Sequence, residues 1–276
     1  MDGTSERLAA PLGRRVRHEL RRRVLEVRRV ENVTPRMVRI TLGGADLEGF
    51  HSPSFDDHMK LFFPAPGEAE PVMPTMGLNG PVLPEGAPRP AGRDYTPRRH
   101  DAGRGELSID FALHAEGPAT EWAASAAPGA KLGVGGPRGS LILPDDLDWY
   151  VLAGDETALP AIGRRLEELP ATARVIAVIE VADAAERQPL PVRPGLEIHW
   201  LERNGEPAGG AARLEAALSA IAIPAGEGHA WVACEAEVAR RLRAVLTERH
   251  GLPKERVKAA GYWRRGAVAL HEVVGD

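Results

Sequence analysis

The residues best equipped for chemistry lie in the run Arg93-Asp94-Tyr95-Thr96-Pro97-Arg98. In an extended segment residues two apart share a face, so Arg93 and Tyr95 project together while Thr96 points to the other side of the pleat or into a bend. A guanidinium can grip phosphate oxygens bidentately, and a tyrosine ring offers a flat face to a large heterocycle. The threonine hydroxyl can donate to or accept from a ring nitrogen. Together these suit a flavin dinucleotide. The plainer alternative is an edge strand with one solvated arginine and one core tyrosine.

Five further groups have a chemical reading. Leu113-His114-Ala115-Glu116-Gly117-Pro118-Ala119-Thr120 leads into a helix, and a helix N-terminus presents unpaired N–H groups and partial positive charge to a pyrophosphate. Gly117 permits close approach, and Thr120 or His114 adds side-chain bonds; an ordinary turn into a helix is the alternative. Gly154-Asp155-Glu156-Thr157 follows an apolar strand, the place where open α/β sheets bind ligands. The acidic pair does not suit a pyrophosphate, and Thr157 could equally be an N-cap. Glu180 and Asp183 close a later strand, where a carboxylate can take the ribose hydroxyls of NADH and repel a 2′-phosphate. This favours NADH over NADPH, with Arg187 as the residue that NADPH would recruit. Arg264, Arg265 and Lys60 supply cations at strand ends, each reading equally as a solvated charge; Trp263 reads as core or as a plug between domains. Cys234 reads as a small buried hydrophobe.

The elements that must position these groups change texture once. Residues 1–23, with several arginines, lack strand periodicity and are expected to form a polar arm or short helix with a solvated charged face. From Val24 short β segments follow one another, and residues 64–92 form a Pro/Gly-rich loop placed to act as a rim or lid. Glu106–His114 alternates as a strand, Gly117–Ala127 reads as a short helix, and two more strands flank Gly136–Ser140. About six strands and one helix predict a small closed, Greek-key-like β-barrel over residues 24–146. From Trp149 strands and helices alternate, which predicts a parallel-sheet α/β domain over residues 147–276. The chain of 276 residues is long enough for both. Its net charge of −4 gives no pull toward nucleic acid, and no apolar window is long enough to span a bilayer. One cysteine excludes an internal disulfide and a Cys-rich metal site. The expected location is the cytoplasm.

Several blocks in order resemble the siderophore-interacting proteins, flavin-dependent ferric-siderophore reductases of the ferredoxin-reductase-like superfamily. They are TPRMVRITLGG, FDDHMKLFFP, RDYTPR, LHAEGPATEWA, GPRGS, GDETALPAI, EVADAAERQPLP and GYWRRG, running from about Val30 to about Gly266. The resemblance implies FAD held by Arg93, Tyr95, Thr96, Asp110, His114, Gly117, Pro118, Ala119 and Thr120, with Tyr95 and Thr96 positioning and tuning the ring. It implies an electron donor (NADH, NADPH or ferredoxin) received at Gly154, Asp155, Glu156, Thr157 and Glu180. It also implies an anionic ferric siderophore met by Lys60, Arg264 and Arg265, with no metal held by the protein. Pro97 stands where the family more often has a β-branched residue. Other acceptors for the same architecture, and a flavin-free siderophore carrier, are the alternatives.

Overall fold

The computed structural model describes residues 12–77, 80–87, 90–114 and 117–266, together with the backbone of 272–273. The described residues divide into two compact units, one from Arg15 to Leu141 and one from Ile142 onward. The first unit carries strands β1 (Arg14–Arg17), β2 (Arg22–Thr34), β3 (Met37–Gly43), β4 (Met59–Phe62), β5 (Thr75–Gly77), β6 (Gly80–Val82), β7 (Gly92–Tyr95) and β8 (Arg99–Asp101). Strand β9 (Glu106–Ala112), helix α1 (Pro118–Ser125), β10 (Lys131–Gly135) and β11 (Gly139–Ile142) complete it.

Seven of these strands form one curled antiparallel sheet in the order β7-β4-β10-β2-β3-β9-β8. The sheet curls because one face is apolar. Leu25, Val27, Ile40, Leu42, Leu61, Leu107, Ile109, Phe111 and Leu132 point into a single core, each at most 1% exposed. The expected closed barrel is a half-barrel, since no backbone ladder joins β7 to β8. These two edges are instead consecutive in the chain, linked only by Thr96-Pro97-Arg98. The run with the richest chemistry is therefore the covalent stitch across an unpaired seam.

The second unit holds β12 (Trp149–Gly154), α2 (Leu159–Glu168), β13 (Arg174–Val181), β14 (Leu196–Glu202), α3 (Ala212–Ala220), β15 (Gly228–Glu235), α4 (Ala236–Ala244), β16 (Val257–Trp263) and β17 (Glu272–Val273). Its sheet runs β14-β13-β12-β15-β16-β17, parallel except for β17. Strands β12 and β15 are buried along their whole length, as a parallel sheet covered on both faces requires. Strand order reverses between β12 and β15, which makes their carboxyl ends the crevice where such sheets take ligands.

Two readings of the sequence need correction. Residues Arg14–Arg17 form β1, which pairs with β11, so the arginine-rich start is not strandless; residues 1–11 of the expected arm lie outside the described residues. Within the loop 64–92, Thr75–Gly77 and Gly80–Val82 pair as a short antiparallel ladder, while residues 78–79 and 88–89 lie outside the described residues.

Candidate functional site

In the first unit the seam places Arg93 and Tyr95 opposite Leu61 and Met59 of β4, and Asp94 opposite Lys60. The pleat thus sends Arg93 and Tyr95 to one face and Asp94 to the other, as the spacing predicts. The Arg93 guanidinium donates to its neighbour's carbonyl, Gly92 O, at 2.9 Å. The Tyr95 ring leans on Phe111 with centroids 4.6 Å apart, and Phe111 in turn meets Trp122 of α1 at 5.8 Å. These rings tie the seam to the helix whose first turn was expected to receive a pyrophosphate. Burial pushes the Tyr95 phenol above its ordinary range, with Arg93 pulling the other way, so it stays a neutral hydroxyl. Thr96 is buried.

Helix α1 begins after Gly117, whose φ of 135° is a conformation side chains rarely adopt and whose Cβ direction opens on empty space. Pro118 occupies N1, where the missing N–H costs nothing, and Ala119 packs into the core. The Thr120 hydroxyl is buried without a hydrogen-bond partner. An orphaned hydroxyl beside the free N–H groups of a helix start, next to a glycine facing open space, fits a bound phosphate. His114 is exposed just before this turn; Ala115 and Glu116 lie outside the described residues.

Asp110 requires a correction. Its carboxylate has no exposed side-chain surface and is held bidentately by Arg39 on β3, at 2.6 and 2.8 Å, with Arg98 at 3.7 Å. It cannot touch a ligand as it stands. It anchors Arg98, the residue that ends the stitch, so its role is to position the seam. Arg39 was missed because a lone arginine in an apolar strand gives no hint of its partner 71 residues away. Lys60 lies within 3.0–3.1 Å of both Asp94 oxygens and is half exposed. It is a paired cation, not an isolated one.

In the second unit the carboxyl ends of β12 and β16 meet at Asp155. Asp155 is buried and accepts from Thr157 N at 2.9 Å, Thr157 Oγ1 at 2.5 Å and the Trp263 indole at 2.8 Å. Burial, and then the neighbouring Glu156 charge, push its carboxyl up to about 6. Thr157 is therefore not the cap of α2; it spends its hydroxyl on Asp155. Gly154 is structural as well, since a Cβ there would come within 2.1 Å of Ala233 O.

Glu156 and Glu180 share a residue that the sequence did not single out. Arg203, 5% exposed, donates to both Glu156 oxygens at 2.6 and 2.7 Å and to Glu180 at 3.2 Å. Glu180 is 1% exposed, and burial pushes its carboxyl up against the pull of Arg203. The expected ribose ligand is thus enclosed and neutralised. Asp183 accepts from Ala185 N, and Arg187 pairs with Glu202 at 2.6 Å. Cys234 is buried as expected, its thiol pushed up chiefly by burial. Trp263 is half-buried, while Arg264 and Arg265 are exposed just beyond β16; the Arg265 guanidinium reaches Ala208 O at 3.1 Å.

Comparison with known proteins agrees with this division of the chain. Residues 26–141 match the siderophore-interacting FAD-binding domain, and residues 147–266 match the siderophore-interacting protein domain. The NADPH-dependent ferric-chelate reductase of Escherichia coli is 43% identical over 252 residues, 90% of this chain and 95% of that protein. The ferric vibriobactin reductase of Vibrio cholerae is 34% identical over 91% of this chain and 93% of its own length. A crystal structure of a siderophore utilization protein from T. fusca superposes with a TM-score of 0.85 at 46% identity, covering 93% of this chain and 98% of that one. With the orphaned Thr120 hydroxyl and the seam residues fitting the cofactor that the matched domain binds, the chain belongs to the siderophore-interacting protein family as an FAD-dependent oxidoreductase.

Proposed function

We propose that this protein reduces Fe(III) held in an anionic siderophore to Fe(II), drawing electrons from NADPH in the cytoplasm. The observation that carries the reading is the likeness, over nine-tenths of the chain, to a ferric-chelate reductase, joined to a first unit whose residues fit FAD. Hard oxygen chelators favour small, highly charged Fe(III) and hold Fe(II) far less tightly, so one electron releases the metal. FAD, when bound, supplies the conversion of a two-electron hydride into single electrons, so each hydride serves two ferric ions.

The protein's own share is positional. We assign the residues from about 24 to 146 to holding FAD and those from about 147 onward to receiving the donor. Arg93 contributes guanidinium donors to the phosphates, and Gly117, Ala119 and Thr120 contribute the helix start, with Pro118 setting its direction. His114 adds an exposed donor at the same turn. Tyr95 and Thr96 hold and tune the ring, while Asp110 acts through Arg98. At the sheet ends, Gly154, Asp155, Glu156 and Thr157 shape the floor against which the nicotinamide nucleotide lies. Lys60, Arg264 and Arg265 are proposed as chelate contacts, the first half exposed and the arginines exposed, and so weak individually.

NADPH replaces the NADH expected from Glu180 and Asp183. Glu180 is enclosed by Arg203 and so is not free to repel a 2′-phosphate; Asp183 gives one oxygen to Ala185 N and keeps its charge. The E. coli relative is described as NADPH-dependent, which supports the same choice. Ferredoxin remains the donor to substitute if neither nucleotide reacts. The deciding experiment mixes photoreduced protein with ferric siderophores in a stopped-flow instrument. Reoxidation matched by Fe(II) capture is expected; protein that stays reduced against every ferric chelate refutes the proposal.

A further inference from the structure

The arginine-rich start is not absorbed by the reductase reading. Residues 15–22 run beside residues 135–139: His18 N donates to Arg138 O at 2.9 Å, Gly136 N donates to Arg21 O at 3.3 Å, and Arg22 registers with Gly135. Arg15, Arg17, Arg22 and Arg138 are all exposed along this strip. Arg15 and Arg17 share one face of β1, two residues apart. Among the described residues none of the four has an ion-pair or hydrogen-bond partner for its guanidinium, whereas the adjacent Arg21 is paired with Glu19 at 3.0 Å.

Two carboxylates beside β11 are turned inward. Asp57 is buried and accepts from Ser52, Ser54 and Ser140, and Asp56 is buried against Ser54. Four unpaired guanidiniums thus face water beside one exposed carboxylate, Glu19, which Arg21 already engages, in a chain whose net charge is −4. Mutual repulsion makes this arrangement unfavourable alone, and a polyanion relieves it.

We propose that the β1–β11 ribbon, with Arg22 beside it, is a docking surface for an anionic lipid bilayer. An acidic protein partner would call for an aromatic or large apolar anchor at the centre of the contact. Among the described residues the exposed large hydrophobics are Val24, Val82 and Val192, and none is aromatic. A nucleic acid would call for stacking platforms or a groove-reading element, and the strip is a short ribbon of arginines. A charged, nearly planar lipid surface asks only for several cations on one side. Each basic residue close to such a surface multiplies affinity about fivefold, so four give reversible binding, strongest at low salt.

The test uses the full-length, FAD-loaded protein and sedimentation with vesicles of phosphatidylcholine, with or without phosphatidylglycerol. Wild type should sediment with the phosphatidylglycerol vesicles only, and release as salt is raised. The variant R15E/R17E/R22E/R138E should lose more than about a hundredfold in vesicle affinity. Its FAD content and its turnover of a dissolved ferric chelate should be unchanged, which separates this surface from the reductase reading. The matching variant with four lysines should still bind, showing that charge and not ribbon shape is read. The proposal is overturned if wild type ignores anionic vesicles at low salt, or if the glutamate variant binds as well as wild type. It is equally overturned if an acidic polypeptide or an oligonucleotide binds the wild-type strip more tightly than the vesicles do.

Discussion

Arg93 and Thr120 differ in what their loss should cost, although both are assigned to phosphate. Arg93 offers a charge-assisted contact, so Arg93→Ala should weaken FAD retention by ~1.5–3 kcal/mol, ten- to a hundredfold, measured by equilibrium dialysis of the released flavin. Thr120 brings one hydroxyl that has no partner in the protein, so Thr120→Val should leave the apoprotein as stable as before or slightly more so. Its FAD affinity should fall by about 1 kcal/mol. A Thr120→Val protein with lowered apo Tm and unchanged FAD affinity would show that the hydroxyl serves the fold. Lys60 is a lesser contributor because Asp94 already holds it. Lys60→Ala should raise KM for anionic ferric chelates only a few-fold at low salt, with FAD content unaltered, and the effect should fade as salt is added. Asp155 makes its prediction through pH. Its folded carboxyl is pushed up to about 6 from an ordinary 3.8. The native state therefore binds a proton that the unfolded chain has released between these values, and stability falls as pH rises from about 4 to 6. The swing is of the order of 3 kcal/mol, and Asp155→Asn should flatten that part of the Tm–pH curve relative to wild type. An identical slope in the variant would place the titration elsewhere.

At the scale of elements, the seam and helix α1 depend on contacts distant in sequence. Removing Arg39 leaves Asp110 buried with only the longer contact to Arg98, so Arg39→Met should destabilise the first unit by about 3–5 kcal/mol in urea unfolding. Pairing it with Asp110→Leu should recover much of that loss, because an apolar pair carries no desolvation cost. This contrast explains what could be read in advance. RDYTPR and GPAT, read alone, fit an edge strand and an ordinary turn as well as a flavin site, and it is their place in an ordered set of family-like blocks that singles them out; the second unit's strands were legible because its apolar runs alternate with amphipathic helices. Strand β1 was hidden by its arginines, which carry no period-two signal. Arg39 and Arg203 were hidden because a buried ion pair is a fact of tertiary distance: each partner, read alone, looks like a surface charge. The half-barrel was hidden because nothing local states whether two edges meet by a ladder or by a linker.

For the whole molecule, the prediction concerns the direction of electron flow. Anaerobic mixing should show NADPH bleaching the flavin faster than NADH, since the carboxylate placed to discriminate against the extra phosphate is held by Arg203. Faster bleaching by NADH would mean that Glu180 swings free of Arg203 in solution. The same variant set separates the two units. Changes at Arg93 or Thr120 should alter flavin retention without altering the preference between nucleotides, and changes at Glu180 or Arg203 should do the reverse.

The unladdered joint between β7 and β8 has a bearing on the protein's lifetime. Three residues span it, one of them, Thr96, a proposed flavin contact, and no backbone ladder joins β7 to β8. Any ligand that grips Tyr95 and Thr96 acts there as a clasp, adding RT ln(1 + [L]/Kd) of resistance at this hem of the sheet. Flavin starvation would then loosen this hem first and expose it to proteases, so that the amount of enzyme in a cell would track its supply of vitamin.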